Sequence, residues 1–264
     1  MNTVELPLRV FIVDDEPPAR TRLRDLLGDC SELLALEVVG EAGNGLEALD
    51  KLMKTPADVV LLDIRMPQMD GIELAGHLNR LPAPEQGAAP AKWPPVIIFT
   101  TAYDDYAVKA FELHAIDYLQ KPIRLKRLFD ALSRARQAVP VQTEVLRDLL
   151  PEPRKFISIH ERGNIYLVPV EQVLYLRAEL KYLTVRTLER EYLLEESLTA
   201  LEKEFPERFL RIHRNCIVAR QAIKGFERGG GEDGEGSGWV VRLKGINELL
   251  PLSRRLQHIV KEFG

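Results

Sequence analysis

The sequence predicts an α/β domain built on a doubly wound five-stranded parallel sheet, followed by a second domain that is mostly β. Three observations carry this. Short apolar runs alternate with amphipathic stretches through the first half. Carboxylates and a lysine stand at the ends of those runs. After a proline-bearing stretch at 137–154 the rhythm changes to short segments of period-two character.

In order, residues 9–13 (RVFIV) form a β-branched strand that stops at Asp14-Asp15. Pro17 suits the first turn of a helix with Leu23, Leu26 and Leu27 on its apolar face. Residues 36–41 make a second strand and 45–53 a second helix. Residues 59–62 are wholly apolar, as expected of a central parallel strand, and lead into Asp63. Residues 72–81 read as helix, 96–99 as strand, 106–113 as helix, 116–119 as strand and 125–138 as the last helix. The stretch 82–95 (PAPEQGAAPAKWPP) exceeds an economical connection and reads as a surface insertion.

The stretch 137–154 reads as a linker around a short helix at 144–150. This sets the domains at 1–138 and 155–264, joined by 139–154. In the second domain, strands are expected at 156–160, 165–168, 173–177, 182–186 and 192–195, with Gly163-Asn164 turning the first hairpin. A helix capped by Ser197 spans 197–205, and strands recur around Ile217, at 223–226 and at 239–243. The Gly-rich acidic stretch 229–238 reads as a loop, and 256–263 as a closing amphipathic segment.

Composition narrows the function. With 45% hydrophobic and 29% charged residues the chain has the make-up of a globular protein. No apolar run approaches bilayer length, and MNTVELPLRV has no basic start before an apolar core, so a cytoplasmic protein with no membrane association is expected. Cys30 and Cys216 stand far apart, which argues against disulfides and against zinc. The net charge of −4 is uneven: residues 154–264 hold 19 Lys and Arg against 16 Asp and Glu, and the remainder 17 against 24. A basic half suits a polyanion and an acidic half a cation.

In an open α/β sheet, ligands sit at the carboxyl ends of the strands. There the sequence places Asp14-Asp15, Asp63, Thr100-Thr101 and Lys121-Pro122. Three crowded carboxylates repel unless a cation joins them, and Mg²⁺ with oxygen ligands is the natural occupant. Asp63 can then attack a phosphoryl group, with the Lys121 ammonium and the Thr101 hydroxyl on its oxygens. A phosphohydrolase would need a general acid two residues on, where Arg65 stands, so no enzyme is expected.

VDDE (13–16), LLDIRMPQMDG (61–71), TAY (101–103) and YLQKP (118–122) resemble the receiver domain of two-component response regulators over residues 8–138. The resemblance implies that a histidine kinase phosphorylates Asp63. It implies that Asp14, Asp15 and Asp63 hold Mg²⁺ with the main-chain carbonyl of Arg65, and that Thr101 and Tyr118 are a switch pair. Lys109, Asp117 and Arg124 are candidate dimer contacts, and Arg65 and Tyr103 border the attacking water.

In the second domain His160, His213 and His258 lack metal-ligand spacing. FLRIHRNCIVAR (209–220) gathers Arg211, His213, Arg214 and Asn215 in a turn between apolar runs, which composition alone leaves as either a DNA-reading loop or a solvated basic one. VLYLRAELKYLTVRT (173–187), FLRIHRNCIVAR and LPLSRRLQHI (250–259) are similar to the LytTR-type DNA-binding domain over 155–264. That similarity implies loops entering successive major grooves of promoter repeats, bound by two protomers that dimerise on activation. It makes Arg214 and Arg254 base readers, with the loop Glu179–Lys181 as a third contact and Asn215, Arg255 and His213 beside them. The loop carrying Glu232, Asp233 and Glu235 is expected to face away from DNA.

Overall fold

A computed structural model describes residues 6–84, 93–102, 117–137, 153–161, 164–179, 181–228, 238–257 and 260. The chain divides into two compact units, 1–152 and 153–264. The expected helices at 106–113 and 144–150, Tyr103, Lys109, most of the insertion, the acidic loop and most of 256–263 lie outside the described residues.

The first unit runs β1 (Leu8–Val13), α1 (Pro17–Ser31), β2 (Leu36–Ala42), α2 (Gly45–Lys54), β3 (Val59–Asp63), α3 (Gly71–Arg80), β4 (Val96–Thr101), β5 (Asp117–Gln120) and α4 (Leu125–Gln137). The sheet order is β2-β1-β3-β4-β5, and every recorded pairing is parallel. The order reverses at β1, and that reversal opens a crevice at the strands' carboxyl ends.

Side-chain alternation explains the layers. Val10, Ile12, Val59, Leu61, Val96 and Ile98 form one core with Leu23 and Leu27 of α1 and Leu128 and Leu132 of α4. The intervening positions Phe11, Val60, Leu62 and Phe99 are buried on the opposite face. A strand buried on both faces has no polar position to offer until it ends, so polarity collects at its tips.

The second unit runs β6 (Phe156–Glu161), β7 (Asn164–Pro169), β8 (Tyr175–Glu179), β9 (Tyr182–Arg186), β10 (Glu191–Leu194), α5 (Leu198–Glu204), β11 (Phe209–His213), β12 (Cys216–Ala219), β13 (Ile223–Arg228), β14 (Trp239–Leu243) and β15 (Leu249–Pro251). Antiparallel ladders give a five-stranded sheet β10-β9-β8-β12-β11, a three-stranded sheet β13-β14-β15 and the hairpin β6-β7. One apolar cluster, including Ile157, Tyr175, Leu201, Ile217 and Val241, joins them.

Three local readings are corrected. The strand expected at 173–177 starts at Tyr175, because a 3-10 turn over Val170–Gln172 engages the Val173 amide. Ser197 occupies the cap of α5 but its hydroxyl makes no capping bond. Arg211 and His213, read with Arg214 and Asn215 as a turn, lie in the edge strand β11, and the turn to β12 holds only Arg214 and Asn215. At the entry to this unit the wholly buried Arg154 guanidinium bridges Glu196 (3.0 and 2.7 Å) and Glu204 (3.1 Å). Its charge is answered by α5 and the segment before it.

Candidate functional site: an acidic sheet edge and a basic one

Asp14 follows β1 and is wholly buried, Asp15 is exposed, and Asp63 ends β3. Each offers a carboxylate oxygen, and these oxygens lie within 4.8 Å of one another. Lys121, just after β5, sets its Nζ 2.7 Å from Asp14 Oδ2 and 3.1 Å from Asp63 Oδ2. One ammonium among three carboxylates leaves a local deficit of positive charge. The donors are all hard oxygens, so the residues present fit a divalent cation such as Mg²⁺.

Burial pushes the Asp63 carboxyl above its ordinary pKa, and the charge and hydrogen bond of Lys121 only partly counter this. Burial also works against the Lys121 ammonium, but the hydrogen bond to Asp14 and the charges of Asp63 and Asp14 outweigh it and raise its pKa. Each group is thus tuned by the other.

Local structure aims these groups. The Lys121 amide donates to the Thr101 carbonyl (2.8 Å), which ties the end of β5 to the end of β4. The Lys121-Pro122 peptide is cis. Thr101 is wholly buried, and Tyr118 on β5, opposite Phe99, is 8% exposed. The Arg65 side chain is exposed in the loop leaving β3, where its carbonyl lies two residues beyond Asp63. That loop carries Gln68 in the left-handed region (φ 70°) and closes through the Gly71 amide on the Ile64 carbonyl (2.8 Å). Asp70 caps α3 by accepting from the Glu73 amide (2.7 Å).

Sequence reasoning missed Arg20. Its Nη1 donates to the Asp14 carbonyl (2.7 Å) and its Nε lies 3.8 Å from Glu41, so α1 and β2 together hold the acidic pair. No spacing rule flags a helix arginine seven residues past a strand end. Asp117, read as a dimer contact, pairs with Arg127 (3.2 Å) and Arg134 of its own chain, while Arg124 is exposed.

In the second unit, antiparallel pairing carries the β8–β9 and β11–β12 turns to one end of the sheet. The Ala178 amide donates to the Asn215 carbonyl (2.8 Å), which sets Glu179 and Lys181 beside Arg214 and Asn215. The Ser253 amide donates to the Ile212 carbonyl (2.8 Å), which brings Arg254 and Arg255 to the same edge. Arg214, Lys181, Glu179, Arg254 and Arg255 are exposed.

Several polar groups of this edge are engaged within the chain. Asn215 Oδ1 meets His213 Nδ1, and its Nδ2 donates to the Ala178 carbonyl (3.4 Å). Glu179 accepts from Arg177 Nε (2.6 Å), so its charge is answered within the chain. Long exposed guanidinium and ammonium groups on adjacent turns are what a phosphate backbone and base edges attract.

Comparison with known proteins bears on both edges. A family model described as the response regulator receiver domain matches residues 10–133, and one for the LytTr DNA-binding domain matches 163–264. The positive alginate biosynthesis regulatory protein of Pseudomonas aeruginosa is 43% identical over 225 residues, covering 84% of this chain and 86% of the relative. The transcriptional regulatory protein BtsR of Escherichia coli is 36% identical over 259 residues, covering 97% and 98%. Among the described residues no helix is long and apolar enough to cross a membrane.

Proposed function

The chain belongs to the two-component response regulators that join a receiver domain to a LytTR DNA-binding domain and regulate transcription, and on that premise we propose that Asp63 is its phosphoacceptor. A partner histidine kinase supplies the phosphoryl group, and residues 155–264 answer by binding promoter repeats as a dimer. The receiver occupies 1–138 and the linker 139–154. The protein works in the cytoplasm.

The observation that carries this reading is the convergence of Asp14, Asp15, Asp63 and Lys121 on one sheet edge. A lone pair of the Asp63 carboxylate attacks phosphorus of the donor phosphohistidine. The new P–O bond forms as the P–N bond breaks, and the electron pair returns to the imidazole. Asp14, Asp15, Asp63 and the Arg65 carbonyl hold Mg²⁺, which when bound offsets the charge of the phosphoryl oxygens. Lys121, already shared between two carboxylates, exchanges one of them for a phosphoryl oxygen. Thr101 donates its hydroxyl to another, and Tyr118 packs into the space this leaves.

The added group shifts an existing equilibrium toward a dimer, and two basic edges then bind two half-sites with an affinity neither has alone. Incubation with radiolabelled acetyl phosphate and Mg²⁺ tests the reading. Acid-stable, base-labile label on the wild type and none on Asp63→Asn is the expected result. Label that survives the substitution overturns it.

A further inference from the structure

We propose that Arg211, held by Glu202, is a positioning residue that sets the Arg214 turn for base reading. It reads no base itself. The inference rests on the reading of Arg214 as a base contact, and its test separates the two.

Arg211 lies on β11 opposite Ile217, with Phe209, Leu210 and Ile212 buried around it. Its Nε and Nη2 both donate to Glu202 Oε2, at 2.8 and 2.6 Å, and its Nη1 donates to the Arg214 carbonyl at 2.8 Å. Glu202 stands on α5, which Leu198 and Leu201 anchor in the core. A rigid helix therefore holds a planar fork, and the free tine of that fork holds the backbone from which the Arg214 side chain springs. A lysine has no such fork.

The register of β11 against β12 shifts between Arg211 and His213, so a bulge falls at Ile212. A bulge frees one residue from the ladder and re-aims the strand beyond it. Here the Ile212 carbonyl takes the Ser253 amide, and the strand past the bulge leads into Arg214. Bidentate reading of a base edge tolerates little displacement of the arginine's backbone. Without the Arg211 brace, a two-residue turn after a bulge has fewer constraints on its first residue.

The charge of Arg211 is answered by Glu202 at close range, which makes it a poor phosphate contact. This sets two roles apart by sign. If Arg211 positions the turn, loss of the Glu202 charge loosens the brace and weakens site-specific binding. If Arg211 is a phosphate contact restrained by Glu202, the same loss frees a cation and tightens binding to any duplex.

Full-length wild type treated with acetyl phosphate and Mg²⁺ is used to enrich a randomised duplex library. The enriched duplex and a shuffled version are then titrated with wild type, Arg211→Lys, Glu202→Gln and Arg214→Ala at several salt concentrations. Arg211→Lys and Glu202→Gln each lower the enriched-to-shuffled affinity ratio by roughly tenfold, and shuffled-duplex affinity and its salt slope stay put. An unchanged ratio in both variants, or Glu202→Gln tightening both duplexes, overturns the proposal. Failure of the wild type to enrich a sequence, or an unchanged ratio in Arg214→Ala, overturns the base-reading assignment itself. Should Arg211→Lys melt below the assay temperature, the surface substitution Glu202→Gln carries the test.

Discussion

The backbone of Gly71 lies so near the carbonyl of Asp63 that a side chain does not fit between them. A Cβ at Gly71 would overlap the Asp63 oxygen and lie 3.0 Å from Leu62 Cγ. The start of α3 is thereby drawn against the end of β3, and the peptide of Asp63 is part of the packing. Gly71→Ala must push the helix off the strand. We expect a loss of about 1–3 kcal/mol of stability by thermal melting, and slower labelling of Asp63 by acetyl phosphate. Unchanged melting and labelling would refute this.

Asp14 and Asp63 share one ammonium among three carboxylates, so a divalent cation should bind the folded chain and raise its melting temperature. Mg²⁺ at about a hundredfold above its dissociation constant adds about 2.7 kcal/mol. Asp14→Asn removes a buried oxygen charge from the set and should abolish most of that rise. Equal Mg²⁺-dependent shifts in wild type and variant would count against Asp14 as a ligand.

Cys216 begins β12 and is buried, and burial pushes its thiol pKa up to about 12. An unfolded chain ionises this thiol near its ordinary value of about 8.5. The raised folded value means that its stabilising contribution is complete below pH ~8.5 and falls as pH climbs toward the folded pKa. The decline approaches about 1.4 kcal/mol per pH unit. Urea midpoints of wild type and Cys216→Ala compared at pH 7.5 and 10 should converge at the higher pH. Native thiol titration at pH 7.5 should leave Cys216 unmodified.

Arg254 and Lys181 reach the same basic edge with different chemistry. A planar fork suits a guanine edge, and a point charge suits phosphate. Arg254→Ala should cost about 1–3 kcal/mol on the enriched duplex and little on a shuffled one. Lys181→Ala should weaken both alike and reduce the salt slope by about one. Identical salt slopes and identical discrimination in the two variants would contradict this division.

Legibility in the sequence depends on where each signal resides. The parallel strands announce themselves because burial on both faces demands unbroken apolar runs, and their tips gather Asp14, Asp63 and Lys121 in one place. β11 was harder to see. Arg211 and His213 alternate with the buried Leu210 and Ile212, but followed by Arg214 and Asn215 they read as a polar turn. Ser197 supplied the cap position without the capping bond. The braces Arg20–Asp14 and Arg211–Arg214 depend on one atom of a long side chain meeting a particular carbonyl. No period or motif encodes such a meeting. The Asn215 amide likewise looks available in one dimension and is engaged in three.

Arg214 and Arg254 are forty positions apart along the chain, yet the bond from Ser253 to Ile212 brings their segments together. Their nearness thus rests on one main-chain bond between β11 and the segment after β15, which belong to different sheets, and not on their spacing in the sequence.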